Sequence, residues 1–246
     1  MIDLKQGDCL ELMKDIPDKS VDMVLCDLPY STKKRKTTWN DWDCEIDLEK
    51  LWKQYNRVIK DDGAILLFGS DVFSAELVIS NLKNYKYKWV WQKETGTGFL
   101  NAKRMPLRNF EEILVFYKKQ PTYNPQMRIG TPYKITKGSK SSNYCSTDKI
   151  VTTINYGERY PLTVIKFNRD KEKLHSTQKP VKLLEYLIKT YTNEGELVLD
   201  NCMGSGSCGV AAINIKRRFI GIEKDEECFK VAKERIENIS KQMNLF

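Results

Sequence analysis

The stretch "VLDNCMGSGSCG" (198–209) has the form of a strand that runs into a glycine-rich turn and then a helix. Its glycines stand at 204, 206 and 209, in the spacing G-x-G-x-x-G. The acidic Glu223 follows 19 residues after the first glycine and ends the next apolar run. This combination is typical of a nucleotide site at the point where a parallel strand meets a helix. A purely structural glycine turn is the alternative, since glycine also serves tight turns.

An acid within this stretch narrows the choice of ligand. A phosphate-binding turn needs backbone N–H groups and positive potential, whereas Asp200 ends the strand four residues before the first glycine. A carboxylate there suits a ligand with a cationic amino group, and Glu223 suits a ribose diol. S-adenosylmethionine carries both groups together with a sulfonium. A nicotinamide dinucleotide, which also carries ribose diols, stays open as the alternative cofactor.

Short apolar runs alternate with helical patterns along most of the chain. The segments predicted as strands are 21–26, 63–69, 87–92, 111–118, 196–200 and 217–223. The segments predicted as helices are 9–16, 47–59, 71–82, 180–191 and 225–239. The alternation predicts an α/β fold with a mostly parallel sheet and helices on both faces.

Composition limits the class of protein. The 246 residues are 41% hydrophobic, which allows a sizeable core. The seven cysteines are odd in number and form no C-x-x-C pair, so we expect free thiols and neither a disulfide framework nor a metal site. No run approaches the roughly 20 apolar residues of a membrane helix. The start "MIDLKQGDCL" has no signal core, and we expect a cytoplasmic protein.

The charge is unevenly distributed. Of the net charge of +8, residues 96–180 contribute 16 Lys and Arg against 6 Asp and Glu. Such a basic block indicates either a polyanionic partner or a solvated surface, and charge alone does not decide between them. Residues 120–170 are also polar and rich in Ser, Thr, Asn and Gly, which predicts an insertion or a long functional loop.

A second motif, "DLPY" (27–30), follows the apolar run "VDMVLC". D-x-x-x-G-x-G at 200–206 resembles the cofactor loop of class I methyltransferases, and with "DLPY" it resembles the amino-methyltransferases of DNA. The order of the motifs, with "GDCLELM" (7–13) first and "HSTQKPVKLLEYLI" (175–188) before the cofactor strand, is similar to the permuted β class. Leu28 stands where a proline is commoner, and Phe110 where many relatives have a histidine.

The resemblance implies a Rossmann-like class I methyltransferase domain formed by 1–119 and 171–246. The basic insertion at 120–170 would then recognise the target. The same resemblance implies S-adenosylmethionine as cofactor and double-stranded DNA as partner. It also implies no membrane and, by analogy, a homodimer.

The chemistry of an exocyclic amino group explains "DLPY". Its lone pair is delocalised into the base, and two acceptors on its hydrogens would localise that pair on nitrogen. Asp27 can supply one acceptor, and the backbone carbonyl of Leu28 or Pro29 the second, because proline has no N–H and fixes φ. Tyr30 offers a flat face for stacking. The alternatives are a turn acid for Asp27 and core packing for Tyr30.

The resemblance also implies a set of cofactor-binding residues: Asp8, Lys179, Pro180, Asp200, Met203, Gly204, Gly206, Ser207 and Glu223. In that set, Asp8 would lie near the adenine amino group. Lys179 and Pro180 begin a helix whose N-terminus could face the cofactor's carboxylate. For His175, a capping or packing role is favoured over catalysis.

An amino group inside a duplex is reached by flipping the nucleotide out. The loop 31–45 combines basic residues with tryptophans, so we predict phosphate contacts from Lys33 and Arg35 and stacking by Trp39. A second basic stretch adds the predicted contacts Lys103, Arg104 and Arg108. A solvated surface loop is the alternative for both stretches.

The interpretation is therefore a DNA methyltransferase that acts on adenine N6. Cytosine N4 is the near alternative, and methylation of RNA or of a protein glutamine is more distant. A nicotinamide-dependent oxidoreductase would leave "DLPY" and the basic block without a use. A catalytically silent nucleic-acid-binding module would tolerate Asp27→Ala.

Overall fold

The computed structural model describes residues 1–30, 45–137, 151–170 and 178–243. The chain forms two compact units. The first consists of Met1–Asn124 together with Thr163–Phe246, and the second of Pro125–Leu162.

The strands of the first unit are β1 Ile2–Gln6, β2 Val21–Cys26, β3 Ile59–Gly69, β4 Tyr85–Thr97, β5 Arg108–Phe116, β10 Val164–Lys166, β11 Leu197–Asp200 and β12 Arg218–Glu223. Its helices are α1 Cys9–Leu12, α2 Leu48–Val58, α3 Asp71–Ser80, α4 Val181–Tyr191, α5 Ser207–Asn214 and α6 Glu226–Met243. The second unit contains β6 Arg128–Ile129, β7 Tyr133–Lys137, β8 Val151–Asn155 and β9 Glu158–Arg159.

One eight-stranded sheet organises the first unit, in the order β1-β12-β11-β2-β3-β5-β4-β10. All neighbouring pairs from β1 to β3 are parallel, and β5 alone runs antiparallel to both of its neighbours. Because β1, β12, β11 and β2 are parallel, their carboxyl ends meet at one edge of the sheet. Those strand ends, with the residues that follow them, are 6–8, 27–30, 200–204 and 223.

Helices cover the sheet on both faces. Residues of α4, α5 and α6 pack into one buried cluster with inward side chains of the central strands. Residues of α1, α2 and α3 pack into the second cluster, on the other face. β2 is buried along its whole length, which explains why "VDMVLC" is an apolar run rather than an alternating one. The α/β fold predicted from the sequence is confirmed.

The predicted strands and helices all exist, with small changes at their ends. The predicted helix 9–16 consists of the short α1 followed by a 3-10 turn over Met13–Asp15. Helix α2 begins after Asp47, whose carboxylate accepts a hydrogen bond from Lys50 N at 3.1 Å. Likewise, Asp225 precedes α6 and accepts from Cys228 N at 2.8 Å. Each acid caps its helix by accepting a hydrogen bond from a backbone N–H of the first turn.

The boundary of the insertion differs from the prediction. Residues 120–124 and 163–170 lie in the first unit, outside Pro125–Leu162. β10 pairs in parallel with β4, through Val164 opposite Val90, and so extends the main sheet by one strand. A three-residue edge strand inside a polar stretch has too short an apolar pattern to be recognised from the sequence.

The second unit contains two antiparallel ladders, one between β6 and β9 and one between β7 and β8. Gly157, at φ +115°, lies between β8 and β9, where a side chain would be strained. Asn155 holds this turn, since its Oδ1 accepts from Gly157 N at 2.9 Å and its Nδ2 donates to Glu158 O at 2.7 Å.

Within the described residues, no helix has the length and apolar character required to cross a bilayer. The five cysteines in this part of the chain are all free thiols, as predicted: Cys9, Cys26, Cys202, Cys208 and Cys228.

Candidate active site

A cavity of about 950 Å³ lies at the carboxyl ends of the parallel strands. Nearly all predicted catalytic and cofactor-binding residues line it: Asp8, Asp27, Leu28, Pro29, Tyr30, Lys179, Asp200, Met203, Gly204, Ser207 and Glu223. The fold thus brings together residues from both ends of the chain, as expected for the edge of an open α/β sheet.

The glycine-rich turn joins β11 to α5 along this cavity. Gly204 has φ +51°, and no described atom lies within 4 Å of the position that a Cβ would take there. Its N–H donates to Glu223 Oε2 at 2.8 Å, while Asp225 N donates to the other carboxylate oxygen at 2.9 Å. Glu223 therefore fixes the turn at the end of β12 and still lines the cavity.

Gly206 does not line the cavity. At φ +79°, a Cβ on this residue would lie 3.0 Å from both Ala232 Cβ and Ile236 Cδ1 of α6. We therefore replace the predicted cofactor role of Gly206 by a packing role. The glycine lets α5 approach α6 closely.

Asp200 ends β11 and is 5% exposed. Its Oδ1 accepts from Cys202 N at 3.1 Å. Burial raises the pKa of Asp200 to about 7, an effect that this hydrogen bond only partly offsets. A buried carboxylate of this kind is stabilised in its charged form by a cation, and a ligand amino group can supply one.

Asp8 precedes α1 and accepts from Leu10 N at 2.9 Å. Its second oxygen lies 3.5 Å from Lys224 Nζ. Ser207, the first residue of α5, accepts from Arg235 Nη1 at 2.9 Å. These contacts fix the two acceptor side chains at the rim and along the wall of the cavity.

Asp27 follows directly after β2 and belongs to a buried charge network. Lys179 Nζ donates to Asp27 Oδ2 and lies 3.3 Å from Glu111 Oε2. Glu111 lies on β5 and also accepts from Lys93 Nζ of β4. The side chains of Lys179, Glu111 and Lys93 are 10%, 16% and 14% exposed. Two carboxylates and two ammonium groups thus form one neutral cluster at the wall of the cavity.

The network sets the charge of each member. Burial raises the pKa of Asp27, and Lys179 opposes this shift, while Glu111 adds to it. For Glu111, burial is outweighed by Lys179 and Lys93, so its pKa is lowered. For Lys179, burial is likewise outweighed by Asp27 and Glu111, so its pKa is raised. Lys179 is therefore a cation held between two acids.

Two polar atoms of "DLPY" are buried and make no hydrogen bond of good geometry within the described part of the chain: Asp27 Oδ1 and Tyr30 Oη. The Tyr30 hydroxyl does interact with the Asp27 carboxylate, and this contact works against the effect of burial on the pKa of Asp27. Burial, followed by the nearby charges of Asp27 and Glu111, raises the pKa of Tyr30 far above its usual range, so its hydroxyl is neutral. An unpaired buried polar group costs about 1–3 kcal/mol, which is a common reason to expect a ligand. The ring of Tyr30 is stacked on Phe73, with centroids 5.0 Å apart.

Among the lining residues that were not predicted, four stand near Asp27 and Lys179 or their partners: Phe68, Trp91, Lys93 and Glu111. Lys179 Nζ lies 5.0 Å from the ring of Phe68, and Lys93 Nζ lies 5.1 Å from that of Trp91. Glu111 stands beside Phe110, the position at which the sequence departs from the resemblance, and Phe110 itself is exposed. The four wall residues lie far from "DLPY" in the sequence, so the sequence gave no signal by which to find them.

The structure gives Lys179 and Pro180 different places from those predicted. The amino group of Lys179 is bonded within the charge network, and Pro180 does not line the cavity. Val181 N, the first N–H of α4, donates to Asp170 Oδ2 at 3.2 Å. Because Asp170 already occupies this helix N-terminus, we no longer place the cofactor's carboxylate there.

The predicted DNA contacts are only partly described. Lys103, Arg104 and Arg108 are exposed and do not line the cavity. Arg108 Nη1 lies 2.8 Å from Asp71 Oδ2, in an exposed ion pair. Lys33, Arg35, Trp39 and His175 lie outside the described residues.

Comparison with known proteins points to one family. A family model described as DNA methylase, of the N6/N4 type, matches residues 21–234. The Type II methyltransferase M.HpaI of Haemophilus parainfluenzae is 26% identical over 242 residues, which cover 94% of this chain and 73% of that protein. The DNA adenine methyltransferase YhdJ of Escherichia coli is 28% identical over 245 residues, which cover 94% of this chain and 81% of that protein.

Solved structures share the fold. The complex of M1.HpyAVI with SAM has a TM-score of 0.66 at 26% identity and covers 96% of this chain and 100% of that one. The cytosine-N4-specific PvuII DNA methyltransferase has a TM-score of 0.68 at 16% identity, covering 98% and 92%. Since the family match spans most of the sequence, including both "DLPY" and the glycine-rich turn, the chain belongs to the DNA methylase family of the N6/N4 type.

Proposed function

We propose that this protein transfers a methyl group from S-adenosylmethionine to the N6 amino group of an adenine that is flipped out of double-stranded DNA. The observation that carries the proposal is the position of Asp27. This carboxylate has acceptor capacity left on a buried oxygen, and it lines the same cavity as the glycine-rich turn. The adenine methyltransferase among the relatives supports the choice of base.

The residues around the turn fit the cofactor. Asp200 offers a carboxylate for the ammonium group, and Glu223 offers acceptors for the ribose hydroxyls. Open space beside Gly204 leaves room for a ligand close to the backbone. When bound, the cofactor supplies a methyl carbon made electrophilic by the neighbouring sulfonium.

The chain's own contribution is to prepare the amino nitrogen. Asp27 accepts one amino hydrogen, and the carbonyl of Leu28 or Pro29 accepts the other, which localises the lone pair on the nitrogen. Phe68, Tyr30 and Trp91 offer apolar walls to a planar base. Correct positioning of two reactants can supply roughly 7–11 kcal/mol of the barrier. Asp27 need not be a strong base, because the nitrogen becomes acidic once it is methylated.

Base flipping follows from the geometry of the duplex, where the amino group lies in the stack. The basic stretch around Lys103 and Arg104 and the second unit, Pro125–Leu162, are proposed to hold the DNA backbone and to recognise the target. With DNA as substrate, we expect the enzyme in the cytoplasm. A homodimer stays a prediction.

The proposal is tested by incubating the protein with duplex DNA and methyl-labelled S-adenosylmethionine, followed by digestion to nucleosides. We expect the label on deoxyadenosine. Label on deoxycytidine would show that the assigned base is wrong. Absence of label on any nucleic acid, with binding of a nicotinamide dinucleotide instead, would overturn the proposal.

The role of Asp27 is tested by Asp27→Ala. Loss of an acceptor that is used in the transition state should lower the methyl-transfer rate by about 10²–10³-fold or more. Cofactor affinity, measured by calorimetry, should stay within about threefold of the wild type, because Asp27 does not hold the cofactor. A rate near that of the wild type would remove Asp27 from the mechanism.

A further inference from the structure

We propose that Lys179, held in place by Glu111, is the positioning residue for Asp27: it keeps the Asp27 carboxylate ionised and anchors one of its oxygens. The inference rests on the proposed function. It replaces the role in cofactor binding that the sequence predicted for Lys179.

The contacts of Lys179 all point inward to other protein groups. Its amino group donates to Asp27 Oδ2 and lies 3.3 Å from Glu111 Oε2. Its other neighbours are two aromatic rings, that of Phe68 at 5.0 Å and that of Tyr30 at 6.0 Å. An ammonium group has three donors, and two carboxylates and two rings surround this one.

Asp27 needs this cation because of its environment. Its charged form is disfavoured by burial and by the nearby acids Glu111 and Asp200. A protonated Asp27 is a poor acceptor and can place a hydrogen where the substrate's amino hydrogen must go. With one oxygen bonded to Lys179, the remaining lone pairs of an ionised Asp27 stay free for the amino group.

Glu111 has a second cation beside it, the ammonium group of Lys93. This cation decides which of the two acids, Asp27 or Glu111, would bind a proton in the absence of Lys179. Lys93 of the neighbouring strand β4 donates to Glu111 Oε1. If Lys179 were removed, Glu111 would keep Lys93 while Asp27 would keep no cation. The proton shared between two close acids would then settle on Asp27.

The charged and titratable groups that face Asp27 are therefore Lys179 before α4, Glu111 on β5, Asp200 on β11 and the neutral hydroxyl of Tyr30. For an acid, ionisation is present above the pKa and is lost as the pH falls through it. Removing the cation should therefore move the acidic limb of the rate profile to higher pH. Removing Glu111 should move it to lower pH.

The test compares Lys179→Met, Glu111→Gln and the double variant with the wild type. For each, the single-turnover rate of methyl transfer is measured with saturating DNA and cofactor from about pH 6 to about pH 9. Cofactor affinity is measured by calorimetry on the same samples. The wild type must label deoxyadenosine first, because failure at that point concerns the proposed function and not Lys179.

We expect Lys179→Met to lower the methyl-transfer rate at neutral pH by about 100-fold. The rate should recover as the pH rises, and the cofactor affinity should stay within about threefold of the wild type. The double variant should be about tenfold faster than Lys179→Met alone, because it no longer places a second acid beside Asp27. Glu111→Gln should shift the acidic limb to lower pH.

Two results would overturn the proposal. One is a roughly tenfold loss of cofactor affinity in Lys179→Met, together with an unchanged pH profile of the methyl-transfer rate. That result would assign Lys179 to cofactor binding. The other is equal inactivity of the single and double variants at every pH, which would indicate a purely structural role. If Lys179→Met does not fold, Glu111→Gln decides, because its acidic limb of the rate profile should shift to lower pH. An unchanged acidic limb in Glu111→Gln also overturns the proposal.

Discussion

Two carboxylates stand at the ends of neighbouring strands, the half-buried Asp27 and the buried Asp200, and their surroundings differ. Asp27 has the ammonium group of Lys179 beside it, whereas the groups that bond Asp200, the Cys202 N–H and the Cys26 side chain, carry no positive charge. Burial without a cation raises the pKa of Asp200 to about 7. At the residue scale, Asp200 is therefore the acid that gains most from a positively charged ligand.

Cofactor binding should depend on pH through Asp200. Above about pH 7 this acid is ionised and ready for an ammonium group, while below that pH binding must first displace a proton. We expect cofactor affinity, measured by calorimetry, to fall by roughly tenfold for each pH unit below 7. Proton release on binding should be visible as a dependence of the measured heat on the buffer.

Asp200→Asn should lower cofactor affinity at pH 8 and abolish this pH dependence. The matched control is Asp8→Asn, a carboxylate on the same cavity, which should keep the dependence on pH. A wild-type affinity that stays constant from about pH 6 to about pH 8 would contradict the assignment of the ammonium group to Asp200.

At the scale of the element, the turn from β11 to α5 uses two glycines for different purposes. Both have positive φ, but Gly206 meets α6 and Gly204 meets open space. The same local motif therefore contains one residue for packing and one for the ligand. This difference allows the two roles to be separated by the same substitution.

Gly206→Ala should destabilise the fold more than Gly204→Ala. Each adds a side chain in the left-handed region at a cost of about 1–2 kcal/mol, and Gly206→Ala adds a close contact with α6, for a total of about 2–4 kcal/mol. The free energy of unfolding is measured in urea without cofactor. Gly204→Ala should instead lower cofactor affinity by more than tenfold, or about 1.4 kcal/mol.

The two variants control for each other, since both replace a glycine by alanine within three residues. Equal losses of stability, with an unchanged cofactor affinity in Gly204→Ala, would show that Gly204 does not belong to the ligand site.

At the scale of the whole molecule, charge is the main long-range property. The net charge is +8, and the excess lies in residues 96–180. This range includes the exposed Lys103 and Arg104 and the whole of the second unit. A surface of this kind attracts the phosphate backbone without selecting a sequence.

DNA affinity should therefore fall steeply with salt, whereas cofactor affinity should change little. Replacing Lys103 and Arg104 together by alanine should reduce the slope of log affinity against log salt concentration by about 2, because about two phosphate contacts are lost. The base that is methylated should stay the same. Fluorescence anisotropy with a labelled duplex at several salt concentrations measures the slope.

The matched control replaces the exposed Lys230 and Lys233 of α6, which form ion pairs with acids one turn away. This pair removes the same charge and should leave the slope close to that of the wild type. Equal slopes in both double variants would mean that only net charge matters and that residues 103 and 104 do not contact the backbone.

The sequence by itself determined what is local. Apolar runs and helical periods placed the strands and helices, because those patterns repeat within a few residues. The spacing of Asp200, the two glycines and Glu223 indicated the ligand turn, and "DLPY" indicated the acceptor, since each motif is contiguous or lies on adjacent elements.

Only the tertiary structure decided how the site is charged. Lys179 and Asp27 are separated by 152 positions, and their contact exists because α4, which Lys179 precedes, packs against the sheet at β2. It also decided that Gly206 faces α6 and that β10 extends the main sheet. Buried charges pair according to strand order, and strand order is a property of long-range packing that no short pattern contains.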